Sequence, residues 1–262
     1  MDLGLKGKNV LVLASSQGLG KASAIEFVKE GANVVISSRN EHKLEGVKTE
    51  VEALDLDGTI HYFPTDVTKA EEISNLVEYT VKTLGGIDVL VNNAGGPPSG
   101  TFTDFTDDDW ENAFHLNLLS YIRTVRTALP YLKKQGGHII NIASSSIKEP
   151  IDGLILSNTF RLGIVGLSKS LANELGPFNI LVNTVAPGRI LTDRVDFLDS
   201  AKAEKTGQTI EEIRKQAEQQ IPLRRLGDPE EFAKAVVFLS SSANSYITGS
   251  SILVDGGKVR AI

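Results

Sequence analysis

Short, nearly continuous apolar segments recur along this chain and alternate with longer segments of helical periodicity. The apolar segments are 9–14, 33–37, 59–63, 88–91, 138–142, 180–183 and 251–254. Such segments are typical of strands that are buried on both faces, as in a parallel sheet whose crossover helices cover it. Right-handed crossovers then predict an α/β, doubly wound Rossmann fold, with a seven-stranded parallel sheet and helices on both faces.

The segments between these strands have the periodicity and the ends of helices. Helices are expected at about 18–30, 41–53 and 155–175 and, in two parts, within 107–134. Thr68 and Glu71 match a capping box at the start of another helix. A last long helix is predicted to begin after Asp228, a good N-cap residue, which Pro229 and Glu231 follow.

No linker, repeat or low-complexity tract interrupts this pattern. We therefore predict a single domain over residues 1–262. The polar stretch 192–220 differs from the rest because it carries Asp, Lys, Glu and Gln with only scattered apolar residues. We expect it to be a surface insertion that closes over a cleft as a lid.

Composition narrows the classes of function. The formal net charge of −6 and the lack of a dense Lys/Arg block argue against nucleic acid or an anionic membrane as a partner. No apolar run approaches about 18 residues, so no transmembrane helix is expected. The chain has no Cys, which excludes disulfides and thiolate metal sites and is typical of a cytoplasmic protein. Its four His residues lack metal-ligand spacing, and no metal site is predicted.

The turn after the first strand has the composition of a phosphate-binding site. Residues 14–21 read Ala-Ser-Ser-Gln-Gly-Leu-Gly-Lys, and a helix is predicted to begin at Gly18. Glycines let the backbone approach a phosphate, and the N–H groups of a helix N-terminus favour its charge. Ala14 stands in place of the first glycine of the dinucleotide-binding pattern. An ordinary strand-to-helix turn is the alternative explanation of the two glycines.

The end of the second strand bears on the choice of nucleotide. A carboxylate at this point would bind the ribose 2′-hydroxyl of NAD, and the sequence has Ser38 and Arg39 instead. A guanidinium group is planar and permanently charged, so it suits a 2′-phosphate. We therefore expect NADP(H) to be preferred over NAD(H), the alternative being a solvated Arg after a strand.

Further motifs make the pattern specific. They are Asn-Asn-Ala-Gly at 92–95, His-Leu-Asn at 115–117, Asn-Ile-Ala-Ser at 141–144, Pro-Gly-Arg-Ile-Leu-Thr at 187–192 and Val-Asp-Gly-Gly at 254–257. With the glycine turn, they resemble the short-chain dehydrogenase/reductase (SDR) family along nearly the whole chain, and most of all its 3-oxoacyl-acyl-carrier-protein reductase type. The resemblance implies a homotetrameric oxidoreductase that acts on a small-molecule carbonyl or alcohol substrate.

The resemblance also assigns roles to individual residues. Asn117 and Ser144 match catalytic positions, and Ser157 and Arg161 stand where the family has its catalytic Tyr and Lys. The residues that match cofactor contacts are Ser15, Ser16, Gln17, Gly18, Leu19, Gly20, Ser38, Arg39, Asp66, Val67, Asn93, Ala94, Gly95, Arg161, Pro187, Gly188, Ile190 and Thr192.

The centre of the family's catalytic motif is therefore replaced. In the family, the Tyr gives its proton to the carbonyl, and the Lys four residues later binds the nicotinamide ribose. A Ser hydroxyl is a far weaker acid than a Tyr hydroxyl, and Arg is a poor proton relay although it can bind ribose hydroxyls. The nearest other candidates for a proton donor are Lys148, Glu149 and Asp152, unless these are ordinary solvated loop charges.

Three functions remain open at this point. The leading hypothesis is an NADP(H)-dependent oxidoreductase that interconverts a carbonyl and an alcohol by an altered proton path. The second is a catalytically silent NADP(H)-binding protein that acts as a sensor or an assembly partner. The third keeps the enzyme, but Ser157 and Arg161 recognise a carboxylate or phosphate on the substrate, because Arg suits planar anions.

Overall fold

The computed structural model describes residues 2–261, and the predicted strands form one parallel sheet within them. The strands are β1 Asn9–Val12, β2 Asn33–Ser38, β3 Thr59–Pro64, β4 Val89–Asn92, β5 Gly137–Ile142, β6 Ile180–Pro187 and β7 Ser251–Val254. Their order is β3-β2-β1-β4-β5-β6-β7, and every neighbouring pair is parallel. The doubly wound fold is confirmed. Met1 and Ile262, the ends of the predicted 1–262 domain, lie outside the described residues.

Helices cover both faces of this sheet. They are α1 Gly18–Lys29, α2 Glu41–Glu52, α3 Ala70–Leu84, α4 Asp107–Phe114, α5 Ser120–Leu132, α6 Ile155–Leu175, α7 Asp193–Thr206, α8 Ile210–Gln219 and α9 Pro229–Leu239. Successive strand side chains point to opposite faces, so Val10 and Val12 pack with α1, α2 and α9, whereas Leu11 packs with α3, α5 and α6. Each apolar side chain of β1 thus lies in one of two hydrophobic cores. No helix among residues 2–261 is long and apolar enough to cross a membrane.

The long helical region within 107–134 is divided in two, as the sequence predicts. A wider π-helical turn, His115–Leu119, joins α4 to α5. It carries Asn117, whose side chain is fully buried. Turns of this kind often occur at functional sites because they re-aim a side chain without ending the helix.

One predicted helix start is confirmed and another is wrong. Asp228 and Glu231 form the capping box of α9, as expected. Thr68, by contrast, does not cap α3, because α3 begins after Lys69. The Thr68 hydroxyl donates instead to Asp66 Oδ1 at 2.7 Å, a local carboxylate acceptor that competes with the helix end.

The polar stretch 192–220 contains two helices, α7 and α8. Each of these helices buries only a small apolar face. The buried apolar residues of the stretch are Ala203, Ile213 and Ala217. The carboxylate of Asp199 is 1% exposed and accepts hydrogen bonds from Arg189, which follows β6, and from Arg214 of α8. A buried ion pair therefore holds both helices to the end of the sheet.

We predict that Asp199→Ala loosens α7 and α8 locally. Asp199 is buried, but the side chains of Arg189 and Arg214 are 24% and 38% exposed. Solvent therefore screens the charges that Asp199→Ala leaves behind, and the loss is about 1.4 kcal/mol. Amide hydrogen exchange in residues 193–219 should become faster by roughly 10-fold, while exchange in β1 is unchanged. The matched control is Asp196→Ala, since Asp196 binds the same Arg214 but its side chain is 55% exposed. Equal effects of the two variants would contradict the assignment.

Candidate active site

A cleft of about 570 Å³ opens at the carboxyl ends of the central strands. The chain runs outward from β1 to β3 and then returns to β4 on the other side of β1, so the loops after β1 and β4 diverge there. Ligands of open α/β sheets bind at such a point. The cleft is within the size range of small-molecule and cofactor sites.

Most of the predicted site residues line this cleft. They are Ser16, Gln17, Gly18, Leu19, Ser38, Arg39, Asp66, Val67, Asn93, Ala94, Gly95, Ser144, Ser157, Arg161, Pro187, Gly188, Ile190 and Thr192. Three others, Ser15, Gly20 and Asn117, are buried behind the lining. Ser15 ties the ends of two strands together, because its hydroxyl donates to Val12 O at 2.7 Å and accepts from Ser37 N.

The glycine turn has the geometry of a phosphate cradle. A Cβ on Gly20 would lie 2.5 Å from the carbonyl oxygen of Ala14, so only glycine fits there. Ala14 itself has φ +47°, a left-handed conformation that explains why this position favours glycine. The N-cap residue Gln17 makes no side-chain capping hydrogen bond, so it leaves the first N–H groups of α1 available for an anion. The cradle therefore fits the pyrophosphate of a dinucleotide.

The adenosine end of the cleft carries one cation that sequence reasoning missed. Lys43, one turn into α2, lines the cleft with Ser38 and Arg39, and its Nζ donates to Gln17 Oε1 at 2.6 Å. In the sequence, the only feature that points to Lys43 is its position four residues after Arg39. Two cations and a hydroxyl at this end suit a 2′-phosphate.

Asp66 lines the same cleft. Burial raises the pKa of Asp66, but hydrogen bonds from Thr68 and the charge of Arg39 outweigh burial and hold the pKa below its usual value. The carboxylate therefore stays ionised. It can accept a hydrogen bond from a ligand at the oxygen that Thr68 does not occupy.

Arg161 is 5% exposed and donates three hydrogen bonds within the protein. Nη1 donates to Tyr121 Oη at 2.9 Å and to Ile142 O at 2.8 Å, and Nη2 donates to Ala94 O at 3.0 Å. These acceptors belong to α5, to the end of β5 and to the loop after β4. The side chain thus braces the catalytic end of the cleft, a structural role that the alignment with the family's Lys did not suggest.

Tyr121 is the partner of Arg161 that sequence reasoning missed. It is 1% exposed, and its hydroxyl donates to Ile142 O at 2.8 Å. Burial raises the pKa of Tyr121 above its ordinary value, although the nearby charge of Arg161 opposes this. Tyr121 does not line the cleft, so this protonated hydroxyl orients Arg161 rather than meeting a ligand. In the sequence, the only feature that points to Tyr121 is its position four residues after Asn117.

The two serines of the site have different surroundings. Ser144 Oγ accepts a hydrogen bond from Ser146 N at 3.2 Å. Ser157 is 8% exposed, and its hydroxyl has no hydrogen-bond partner among residues 2–261. Both line the cleft, so both hydroxyls are available to a ligand.

Asn117 is buried on the π-helical turn and reaches the loop after β4. Its Nδ2 donates to Gly95 O at 2.8 Å, and its buried Oδ1 has no partner among the described residues. Such an orphaned acceptor marks a place for a water molecule or a ligand group.

The three loop charges proposed as other proton donors do not meet the cleft. Lys148, Glu149 and Asp152 are exposed, and none belongs to the described lining of the cleft. Two cations that the sequence did not single out, Arg194 and Lys258, line it instead. Burial, followed by the charge of Arg189, lowers the pKa of Lys258. No cluster of His, Asp or Glu within residues 2–261 could hold a metal ion.

Comparisons with known proteins agree with this geometry. Residues 13–258 match a family model described as enoyl-(acyl carrier protein) reductase. The 3-oxoacyl-[acyl-carrier-protein] reductase FabG of Thermotoga maritima is 34% identical over 97% of this chain and 99% of its own length. The L-sorbose reductase of Gluconobacter frateurii, solved with NADPH and L-sorbose, is 30% identical, with a TM-score of 0.95 and full coverage of both chains.

A second solved structure, YwfH, is described as an NADPH-dependent reductase involved in bacilysin biosynthesis. It is 30% identical, with a TM-score of 0.93, and the match covers 97% of this chain and 99% of that one. The fold, the cleft at the strand ends and these full-length likenesses establish that the chain belongs to the short-chain dehydrogenase/reductase family of oxidoreductases.

Proposed function

We propose that this protein is an NADP(H)-dependent oxidoreductase that interconverts a carbonyl and an alcohol by a proton path different from the family's Tyr and Lys. The observation that carries the proposal is one continuous cleft. It joins a phosphate cradle and the Arg39–Lys43 cation pair at one end to the Ser144 and Ser157 hydroxyls at the other. The NADPH in the sorbose reductase structure and the 3-oxoacyl reductase relative support both halves of this assignment.

The chain's own residues bind and orient the cofactor. The backbone of residues 17–20 holds the pyrophosphate, and Ser38, Arg39 and Lys43 hold the 2′-phosphate. Ile190 and Thr192, in the loop after β6, also line the cleft, and the nicotinamide would lie against them. NADPH held in this way would supply the hydride for the carbonyl carbon, and one proton from solvent would complete the alcohol and leave NADP⁺.

Ser144 and Ser157 bind the carbonyl oxygen. Two hydroxyl donors stabilise the negative charge that develops on this oxygen, and the fixed charge of Arg161 behind them adds to the effect. A serine hydroxyl is too weak an acid to serve as the sole proton source at neutral pH. Ser157 therefore passes on a proton from water, which the unpartnered Oδ1 of buried Asn117 helps to hold.

A second candidate is an NADP(H)-binding protein without hydride chemistry. One observation favours it: Arg161 is held by three protein acceptors, so it does not offer the mobile proton of the family's Lys. The serine variants described below distinguish the two candidates.

The family's homotetramer, a cytoplasmic location and the role of 192–220 as a substrate lid also stay predictions for this chain. Light scattering on the purified protein would test the tetramer.

We predict that Arg39→Ala weakens the binding of NADPH by about 10- to 100-fold, because a charge-assisted hydrogen bond to the 2′-phosphate is worth roughly 1.5–3 kcal/mol. NADH lacks this phosphate, so its dissociation constant should change by less than about threefold. Calorimetric titration with both nucleotides measures the two effects. An equal loss for NADH and NADPH would show that Arg39 does not read the phosphate.

We predict that Ser144→Ala and Ser157→Ala each lower kcat/KM for carbonyl reduction by about 10- to 1000-fold, because each removes a donor to the developing oxyanion. The dissociation constant of NADPH should stay within about twofold of that of the natural protein. Turnover is followed by NADPH oxidation on a panel of 3-oxoacyl thioesters, diketones and oxo acids.

Ser74→Ala, on α3 away from the cleft, is the matched control. Turnover that persists unchanged in both site variants would contradict the catalytic role, and silence of the natural protein on every class would favour the binding-only candidate.

A further inference from the structure

We propose that the substrate of this cleft is an oxo acid whose carboxylate binds between Arg161 and Arg194. This inference rests on the proposed function, because it names the class of carbonyl compound that the catalytic end accepts. Its basis is the positive charge of these two arginines, which no carboxylate of the described residues neutralises.

Arg161 brings a buried positive charge to the catalytic end without an acidic partner. The acceptors of its hydrogen bonds, two backbone carbonyls and one tyrosine hydroxyl, are all neutral. Within residues 2–261 no carboxylate lies within 4 Å of it. A buried cation is normally paired with an anion, because desolvation of a lone charge costs several kcal/mol. The guanidinium of Arg161 has five N–H donors. Three of them are used in these hydrogen bonds, so two remain for a ligand.

Arg194 brings a second charge to the same place. It lies in the first turn of α7, and its Nη2 donates to Pro97 O at 2.7 Å, on the loop after β4. A Cβ on Gly96 would lie 2.9 Å from Nε and Nη2 of Arg194, so the guanidinium packs directly against the backbone of residue 96. The side chain is half-buried and forms part of the cleft wall.

Both guanidinium groups reach the same loop and line the same cleft. Arg161 Nη2 donates to Ala94 O, and Arg194 Nη2 donates to Pro97 O, three residues further along that loop. Burial lowers the pKa of Arg194, and the charge of Arg161 lowers it further. An anion bound between the two groups would be attracted by both charges.

The carboxylates that line the cleft do not supply this anion. Asp66 lies at the adenosine end and is held by Thr68. Asp193 is exposed and forms no ion pair with either arginine within the described residues. Arg189 differs from Arg161 and Arg194. It lines the same cleft, but its charge is neutralised by Asp199.

The cofactor phosphates belong elsewhere in the cleft. They are assigned to the N-terminus of α1 and to Arg39 and Lys43, whereas Arg161 and Arg194 contact the loop that follows β4. A planar guanidinium matches the two oxygens of a carboxylate. Ile151, Leu154 and Leu198 line the cleft as well and provide apolar contacts for a short carbon chain. The ligand that these groups fit is a short oxo acid, in preference to a neutral thioester or sugar.

The test compares acids with their neutral esters. Protein saturated with NADP⁺ is titrated calorimetrically with 2-, 4- and 5-oxohexanoate and with the methyl ester of each. At least one acid should bind tenfold or more tightly than its ester. Arg194→Gln should reduce this ratio by about tenfold, and Arg194→Lys, which keeps the charge and loses the planar fork, should reduce it less. Arg126→Gln, at an exposed position of α5 outside the cleft, should leave the ratio unchanged.

The results distinguish a failure of the carboxylate site from a failure of the proposed function. An equal affinity for acids and esters, no binding of any acid, or an acid preference that survives Arg194→Gln would overturn the carboxylate site. NADPH oxidation with the same pairs reports on the proposed function independently. Turnover without a preference for acids would uphold the reductase and reject the oxo acid, whereas acid-selective binding without turnover would uphold the anion site alone.

Discussion

The arrangement of this protein depends on burying a parallel sheet on both faces while pairing the polar side chains of its central strands. Asn92 and Asn141 are fully buried. Asn92 Nδ2 donates to Asn141 Oδ1 across β4 and β5 at 2.8 Å, and Asn141 Nδ2 donates in turn to Ser168 on α6 at 2.9 Å. Thr184 of β6 donates to the same Ser168 hydroxyl. This buried network fixes α6 against three strands, and α6 carries both Ser157 and Arg161 to the cleft.

On the proposed function, Arg at position 161 in place of the family's Lys changes the chemistry available beside Ser144 and Ser157. An ammonium group moves freely and offers its proton, whereas a guanidinium has a fixed planar fork. Here that fork reaches Ala94, Ile142 and Tyr121 together, so it links two strand ends and α5. The cleft therefore carries a rigid positive charge at this position, and on the proposed function it lacks the mobile proton of the family's Lys. A neutral Ser at position 157 is consistent with both changes, because the site then relies on charge and hydrogen bonding more than on an acidic side chain.

The glycine turn shows how the fold tolerates a departure from the usual pattern. Ala14 adopts a left-handed backbone conformation that costs an L-residue about 1–2 kcal/mol. Its carbonyl is held by Asn93 Nδ2 at 3.1 Å, a contact between the first and fourth strand ends. The packing of these two loops therefore maintains a conformation that the local sequence alone disfavours.

The sequence by itself determined the fold, the strands and most of the residues that line the cleft. These properties depend on short-range patterns, such as apolar runs, capping residues and glycine turns, and parallel topology then brings every strand end to one edge. Only the tertiary structure decided the partners of individual charges. Arg161 meets Tyr121, 40 residues away, and Arg194 meets Pro97, 97 residues away. Asp199, in a stretch with little pattern, is an ion-pair centre because folding places Arg189 and Arg214 on either side of it. Such contacts depend on how loops from different strands approach one another, and no local pattern in the chain encodes that distance.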